Sequence, residues 1–224
     1  MTKTIPVVEK ILSANDRLAA ENLARLNAAN VFALNFMASP GAGKTSLVER
    51  TVRGLASKFR LAVINGDLAT SIDAERAEVA GASVSIQINT GGDCHLDAIM
   101  LQEALTHLDL TAIDLLIVEN VGNLICPANF RLGVHNNVLV ASIPEGADKP
   151  YKYPGTYRGV DTLVINKIDL LPYVPFDMAY FRRGVELLNP GVTTFPLSCV
   201  TGEGVDAWLA WITAQVEARR IPQA

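Results

Sequence analysis

Apolar and polar residues follow two different periods along the chain. Between residues 6 and 29, apolar side chains recur at roughly helical spacing among Ala, Glu, Asn and Arg, which predicts a helical segment. Asn15 is of a residue type that caps helices, so one kinked helix and two short helices both fit this pattern. We assign residues 1–30 to an N-terminal helical segment and expect it to be an appendage of the domain that follows.

From residue 31 onward, short apolar runs alternate with amphipathic stretches. Seven apolar runs predict buried strands, at residues 31–37, 61–65, 84–88, 115–118, 138–143, 163–166 and 193–197. Most stretches between them carry a helical pattern, for example 46–55, 96–108, 176–188 and 205–219. This alternation predicts one α/β domain over residues 31–224, with a mostly parallel seven-stranded sheet and helices on both faces. The Gly-, Pro- and Tyr-rich stretch 144–159 is predicted to be a long loop.

The composition narrows the class of protein. Half of the 224 residues are apolar and 19% are charged, which excludes a disordered or fibrous chain. The formal net charge is −4, whereas nucleic-acid-binding domains usually carry a basic excess, so we expect no nucleic-acid partner. No apolar run approaches the roughly 18 residues of a membrane span, and no signal peptide is visible. We therefore expect a cytoplasmic protein without a membrane partner.

The first predicted strand runs into a Gly-rich loop that is followed by a helix. Its sequence, ASPGAGKTS at residues 38–46, has the strand–loop–helix setting of a phosphate-binding P-loop, although Ala38 stands where the first glycine of the pattern belongs. Lys44 supplies a positive charge for the β- and γ-phosphates, and the Thr45 hydroxyl is a ligand for Mg²⁺. The positions predicted here to bind nucleotide are Gly41, Ala42, Gly43, Lys44, Thr45 and Ser46. An ordinary Gly-rich turn is the structural alternative.

A second motif selects the base of the nucleotide. The sequence NKID at residues 166–169 ends a later predicted strand, at the sheet edge where α/β proteins bind ligands. The Asp169 carboxylate can accept hydrogen bonds from N1 and the 2-amino group of guanine, and adenine has no such pair of donors. Asn166 is expected to contact the base edge or to tie this loop to the P-loop, and Lys167 to lie over the ring. Weaker candidates for supporting the base follow the next strand, at Ser198 and Cys199.

Two acidic residues follow strand ends between these motifs. Asp67 and Glu119 would project toward the phosphates and hold Mg²⁺ together with Thr45, and Gly122 offers a backbone N–H to the γ-phosphate. The predicted catalytic positions are Lys44, Asp67, Glu119 and Gly122. Asp73 fits either a nucleotide-sensitive loop or a helix N-cap. No glutamine or arginine finger is placed to orient the attacking water, so we expect slow intrinsic hydrolysis of GTP to GDP.

The three cysteines do not form a disulfide framework. Cys94 and His95 are adjacent before a predicted helix, and Cys126 follows the motif that begins at Glu119. Thiolate and imidazole ligands suit Zn²⁺ or Ni²⁺, and such a site would be closed by water, by Asp93 or by the same loop of a second subunit. Buried apolar packing is the alternative for Cys94 and Cys126. Packing is predicted for Cys199, and ordinary surface or helix-capping roles are predicted for His107 and His135.

In the order and spacing of these motifs, residues 30–215 resemble the HypB family of GTPases, which help to insert nickel into [NiFe]-hydrogenase. The strings that carry the resemblance are the P-loop, NGD (65–67), CHLDA (94–98), ENVGNLICP (119–127), EGADKP (145–150) and NKID (166–169). The CH pair and the string ENVGNLxCP are the most specific. The resemblance implies a G domain of the dimerising SIMIBI class of P-loop proteins, which also includes the urease and cobalamin-enzyme accessory GTPases.

The resemblance also implies a metal site and partners. The family's nickel or zinc site lies at a homodimer interface and maps onto Cys94, His95 and Cys126, and its Mg²⁺ positions map onto Thr45, Asp67 and Glu119. GTP would favour the homodimer, and hydrolysis to GDP would release the metal to a HypA-type metallochaperone, which serves the hydrogenase large-subunit precursor. Residues before 30 lack the cysteine motif and histidine-rich tract of some members, so high-affinity N-terminal metal storage is not expected. Asp93 also departs from the family's usual run before the Cys-His pair.

Three other functions are compatible with part of these motifs. An accessory GTPase for urease or for a cobalamin mutase would share the generic nucleotide motifs. A GTP-regulated interaction module would use the nucleotide site and have no metal role. A P-loop kinase would prefer ATP, and the NKID motif argues against it.

Overall fold

The computed structural model describes residues 7–67 and 72–220. Within these ranges seven strands are formed: β1 Phe32–Ala38, β2 Leu61–Asp67, β3 Val84–Asn89, β4 Leu115–Glu119, β5 Asn136–Ser142, β6 Thr162–Asn166 and β7 Thr193–Pro196. They form one sheet in the order β3-β2-β4-β1-β5-β6-β7, and every neighbouring pair is parallel. The seven predicted strands are therefore confirmed, and the sheet is entirely parallel.

Helices cover both faces of this sheet, as predicted. In the described ranges they are α1 Val7–Ala28, α2 Lys44–Leu55, α3 Ile72–Ala80, α4 Ala98–Thr106, α5 Cys126–Asn129, α6 Lys149–Lys152, α7 Pro154–Arg158, α8 Met178–Leu188 and α9 Val205–Arg220. Alternate residues of β1 point to opposite layers: Leu34 and Phe36 face α2 and α9, whereas Ala33 faces α1 and α4. None of the described helices is long and apolar enough to cross a membrane.

The strand order brings the predicted nucleotide motifs to one edge of the sheet. Because all strands are parallel, their carboxyl ends share an edge. The register pairs Glu119 of β4 with Phe36 of β1 on one side and with Asn65 of β2 on the other. The carboxyl ends of β1, β2 and β4 are therefore neighbours, and they carry the start of the P-loop, Asp67 and Glu119.

The described part of the N-terminal segment contains one helix, α1, which is fixed to the domain by side-chain hydrogen bonds. Asn15 does not cap a second helix, and the two-helix alternative is wrong. Its carboxamide is buried and reaches across the domain, donating to the Arg131 carbonyl at 2.8 Å and accepting from the Ala98 N–H at 2.9 Å. Gly133 adopts a positive φ where a Cβ would lie 1.9 Å from the Ala19 carbonyl oxygen, so only glycine allows this close approach to α1. The boundary between residues 30 and 31 stays a prediction.

The stretch predicted as a long loop at 144–159 is instead built of short helices. A 3-10 turn at Ile143–Glu145 is followed by α6 and α7. Proline lies in the first turn of each of these pieces, where its missing N–H costs no helical hydrogen bond. The Glu145 carboxylate also accepts hydrogen bonds from the N–H and the hydroxyl of Ser142. The prolines therefore start short helices here, whereas the sequence pattern suggested irregular structure.

His135 is not an ordinary surface residue, and that prediction is wrong. Its Nδ1 accepts a hydrogen bond from the Ala33 N–H at 3.0 Å, so Nε2 carries the proton and donates to Asn27 Oδ1 at 2.9 Å. Burial, with a smaller effect of the Arg219 charge, lowers the pKa of His135 to about 4. The neutral imidazole therefore joins α1 to β1. His107 is an exposed C-cap residue of α4, as predicted.

Candidate nucleotide and metal site

The loop after β1 has the backbone of a phosphate-binding loop. Gly41 and Gly43 adopt φ values of +77° and +94°, and Gly43 is the N-cap of α2. A Cβ on Gly43 would lie 2.3 Å from Asn166 Nδ2, so this glycine is required by conformation and by contact. Ala38 is the last residue of β1 and is fully buried in extended backbone, which any residue type adopts. The departure from the P-loop pattern at Ala38 is therefore accommodated.

The base-recognition motif is hydrogen-bonded to the P-loop. Asn166 Nδ2 donates to the Ala42 carbonyl at 3.0 Å, and Lys167 Nζ donates to the Gly41 carbonyl at 2.6 Å. Asn166 Oδ1 accepts from the N–H groups of Lys167 and Cys199, at 2.8 and 3.3 Å. Of the two roles considered for Asn166, the structure has the one that ties the two loops together. The side chain of Lys167 spans the same junction.

Asp169 presents an acceptor that the described residues leave without a partner. It lies in a 3-10 turn at Ile168–Leu170, and its Oδ1 is buried with no hydrogen-bond donor among the described residues. A buried acceptor without a donor is costly unless a ligand supplies one. The two donors of a guanine edge meet this requirement, so the position fits the predicted base.

Ser198 and Cys199 order the loop beside this base position. The buried Ser198 hydroxyl accepts from the N–H groups of Val200 and Thr201, at 3.2 and 3.1 Å. Cys199 is buried, and desolvation raises the pKa of its thiol to about 11, so it is a packing residue in this structure. Ser46, Arg50 and Cys199 line a surface pocket of about 390 Å³, which lies between α2 and this loop.

Glu119 is the centre of the polar cluster at the phosphate end. It is 2% exposed, and its Oε1 accepts from Lys44 Nζ at 2.9 Å and from Thr45 Oγ1 at 2.6 Å. Its Oε2 is buried and has no hydrogen-bond partner among the described residues. A hydroxyl oxygen and a carboxylate with one oxygen available are donors that Mg²⁺ prefers. Thr45 and Glu119 therefore fit the predicted Mg²⁺ site.

The other predicted phosphate-side residues lie at the same edge. Asp67 ends β2, and its carbonyl accepts from the Thr90 N–H at 3.1 Å. Gly122 lies against Pro40 of the P-loop, since a Cβ there would be 3.6 Å from Pro40 Cγ. The Asp73 side chain lies outside the described residues, so neither reading of it is tested.

The loop between β3 and α4, residues 90–97, carries Cys94 and His95, and we call it the cysteine loop; Cys126 of α5 lies near its Cys94. Cys94 is exposed and Cys126 half-buried at the start of α5. The neighbouring Cys94 thiol, together with burial, raises the pKa of Cys126. Cys94 Sγ lies 3.9 Å from His95 Nδ1, and the His95 ring stacks on Phe130 with 4.0 Å between centroids. Among the described residues, no group of three or more His, Cys, Asp or Glu side chains converges on one metal position.

One segment joins the phosphate cluster to the cysteine loop. Glu119 contacts the P-loop side chains, and the next residue, Asn120, accepts a hydrogen bond from the Leu96 N–H at 2.9 Å. Asn123 bridges to Ala38 of β1 and donates to the Cys94 carbonyl at 3.4 Å. The sequence interpretation gave no role to Asn120, Asn123 or Phe130. The sequence signal for Asn120 and Asn123 was two asparagines just after the apolar run 115–118 and Glu119.

Comparison with known proteins identifies the family. The sequence profile described as "CobW/HypB/UreG, nucleotide-binding domain" matches residues 33–196. The hydrogenase maturation factor HypB of Azotobacter vinelandii is 46% identical over 218 residues, which cover 96% of this chain and 70% of that protein. The chain belongs to the HypB family. It is thus a hydrogenase maturation factor of the SIMIBI P-loop GTPase class, and the resemblance seen in its motifs is confirmed.

Two further relatives extend this membership over most of the chain. The probable hydrogenase maturation factor HypB of Methanocaldococcus jannaschii is 44% identical, with 95% of this chain and 96% of that protein covered. The crystal structure of HypB from Helicobacter pylori in complex with nickel superposes with a TM-score of 0.85 at 34% identity. That match covers 92% of this chain and 96% of the Helicobacter chain. The parallel-sheet P-loop fold of the family is therefore shared by the chain described here.

Proposed function

We propose that this chain is a GTP-hydrolysing metallochaperone that delivers nickel during [NiFe]-hydrogenase maturation. One observation carries the proposal: the short segment from Glu119 to Cys126 contacts the P-loop through Glu119 and the cysteine loop through Asn120 and Asn123. A change at the phosphates therefore has a path of only a few residues to a thiol ligand. Family membership and the nickel named for the Helicobacter relative support the same function.

The chain's own residues define the nucleotide half of the mechanism. The P-loop N–H groups and Lys44 bind the phosphates, and Asp169 accepts from the guanine edge. Thr45, Asp67 and Glu119 would hold Mg²⁺, which when bound neutralises charge on the phosphate oxygens. Lys44 Nζ forms an ion pair with Glu119 Oε1 at 2.9 Å. Because the bound phosphates attract the same ammonium group, phosphate binding draws it away from this carboxylate. Glu119 thereby links phosphate binding to the segment that follows it.

The cysteine loop and Cys126 supply the proposed metal ligands. Cys94 and Cys126 give two soft donors, and His95 gives a borderline one, a set suited to Ni²⁺ or Zn²⁺. Since the described part of one chain has no converging group of three, we propose that a second copy completes the site. The exposed side chains of Ile99 and Ile125, 60% and 53% accessible, flank the loop and support an interface there. The released ion would pass to a HypA-type chaperone and from it to the hydrogenase large-subunit precursor.

Two matched cysteine substitutions test the metal role. Cys126→Ser should lower the affinity of the full-length chain for Ni²⁺ about tenfold or more, because it removes a thiolate ligand. Cys199→Ser should leave that affinity within about twofold, because Cys199 is a buried packing thiol outside the cysteine loop. Titration with Ni²⁺ and with Zn²⁺ under reducing conditions measures both.

The same titration separates the alternatives. Unchanged Ni²⁺ and Zn²⁺ binding in Cys126→Ser, and in the Cys94→Ala/Cys126→Ala double variant, would contradict the metal role. That result would favour a GTP-regulated interaction module. A preference for ATP over GTP in competition binding would contradict the nucleotide half of the proposal.

A further inference from the structure

Asn120 is a fully buried amide whose side-chain oxygen and nitrogen are both hydrogen-bonded. Its Oδ1 accepts from the Leu96 N–H at 2.9 Å and from the Val121 N–H at 3.0 Å. Its Nδ2 donates to Asn35 Oδ1 at 3.1 Å. The two backbone donors fix which end of the amide is oxygen, so the orientation of the side chain is determined by its surroundings.

Asn120 heads a line of side-chain hydrogen bonds through the sheet. Asn35 Nδ2 donates to Asn137 Oδ1 at 3.1 Å, and Asn137 Nδ2 donates to the Asp161 carboxylate at 3.1 Å. All donors point in one direction, from the cysteine loop toward a negative charge, and such chains polarise one another. The line connects Asn120 to β1 and β5, whereas the backbone N–H groups of Leu96 and Val121 fix the position of its carboxamide oxygen.

The cysteine loop is anchored at both ends to strands of the nucleotide site. At its exit, the Leu96 N–H bonds Asn120, and the buried Leu96 side chain lies under Gly66, where a Cβ would come within 2.7 Å of it. At its start, the Thr90 N–H donates to the Asp67 carbonyl, and the Thr90 hydroxyl donates to the Asp93 carbonyl. Cys94 lies between these two anchors and is exposed. The hydrogen bonds at Thr90 and Leu96 therefore restrict the position of its thiol.

We infer that Asn120 is a positioning residue for the metal: through its hydrogen bond to the Leu96 N–H it fixes the Cys94–His95 pair relative to the strand that carries Glu119. This inference rests on the proposed metal role of that pair. Groups that orient metal ligands without touching the metal commonly change affinity by 10- to 100-fold. Asn120 is one residue from Glu119, so it is also the contact through which a shift of β4 reaches the loop.

The experiment compares Asn120→Ala with Asn35→Ala in the full-length chain. Both variants remove a buried amide from the same line and leave a polar partner without its bond, so both lose stability. Only Asn120→Ala removes the acceptor of the Leu96 N–H. We expect Ni²⁺ binding to weaken about tenfold in Asn120→Ala, with GDP affinity unchanged, and to stay within about twofold in Asn35→Ala. Hydrogen exchange of the Leu96 amide should accelerate in Asn120→Ala alone.

The outcomes separate this inference from the proposed function. Equal losses of Ni²⁺ affinity in both variants, or no loss in Asn120→Ala, would overturn the positioning role. If the unmodified chain bound no Ni²⁺ at the cysteine pair, the proposed function would fail, and amide exchange would still decide whether Asn120 holds the loop. Should Asn120→Ala not fold, Asn120→Asp retains the oxygen acceptor, and protection of the Leu96 amide in it is expected; its loss would count against the inference.

Discussion

Asp169→Asn is expected to lower the affinity of the chain for GDP at least 100-fold and to favour xanthosine diphosphate over GDP. The carboxylate Oδ1 is buried and lacks a partner among the described residues. Without the guanine donors this charged acceptor stays unpaired, so their binding relieves an unfavourable state. Hydrogen bonds to a charged group contribute roughly 1.5–3 kcal/mol each, and each 1.4 kcal/mol is about tenfold in affinity. An asparagine replaces one acceptor by an N–H₂ group, which faces the guanine donors and suits the carbonyl of xanthine.

Calorimetric titration of GDP and xanthosine diphosphate into both proteins measures this change. Asp16→Asn is a matched control, because it makes the same charge change at an exposed position on α1. The control should bind GDP as the unmodified chain does. Equal GDP affinity in Asp169→Asn would contradict the assignment of the base site.

Glu119→Gln is expected to lower the rate of Mg²⁺-dependent GTP hydrolysis roughly 100-fold. The carboxylate contacts Lys44 and Thr45 through one oxygen and keeps the other buried and available. The substitution removes the negative charge that would hold Mg²⁺ and removes the ion pair that positions Lys44. Binding of GDP without Mg²⁺ should persist, because the P-loop backbone and Asp169 are unchanged.

Glu203→Gln is the control for this variant, since Glu203 is exposed and none of its side-chain atoms is assigned to the site. Phosphate release measured over a range of Mg²⁺ concentrations distinguishes the two. Hydrolysis in Glu119→Gln at the rate of the Glu203→Gln protein would contradict the role of Glu119.

The strands and the nucleotide motifs were predictable because their signals are local. Continuous apolar runs such as 61–65 are typical of strands that are buried on both faces of a sheet. The P-loop glycines have conformations that a short sequence pattern encodes, and Gly43 at φ +94° is an example. A parallel sheet then brings Asp67, Glu119 and Asp169 to one edge without further information.

The wrong predictions concern polar side chains that bond residues far away in the sequence. Asn15 has the chemistry of a helix cap, yet its carboxamide bonds residues more than 80 positions away. His135 looks like an isolated polar residue in sequence and is held between α1 and β1. The line from Asn120 to Asp161 runs from the end of β4 through β1 and β5 to the residue before β6, and no spacing rule relates its members. Such contacts depend on how elements pack, which a single sequence encodes only weakly.

The central claim is that the state of the nucleotide sets the affinity for the metal. The most direct measurement is the dissociation constant of Ni²⁺ for one preparation of the full-length chain, loaded with GDP or with a non-hydrolysable GTP analogue. The molar mass in solution, measured on the same samples, gives the dimer fraction. Coupling between sites typically amounts to about 5- to 150-fold, and we expect a difference of at least fivefold together with a larger dimer fraction in the GTP-analogue state. Equal Ni²⁺ affinity in the two states would contradict the account.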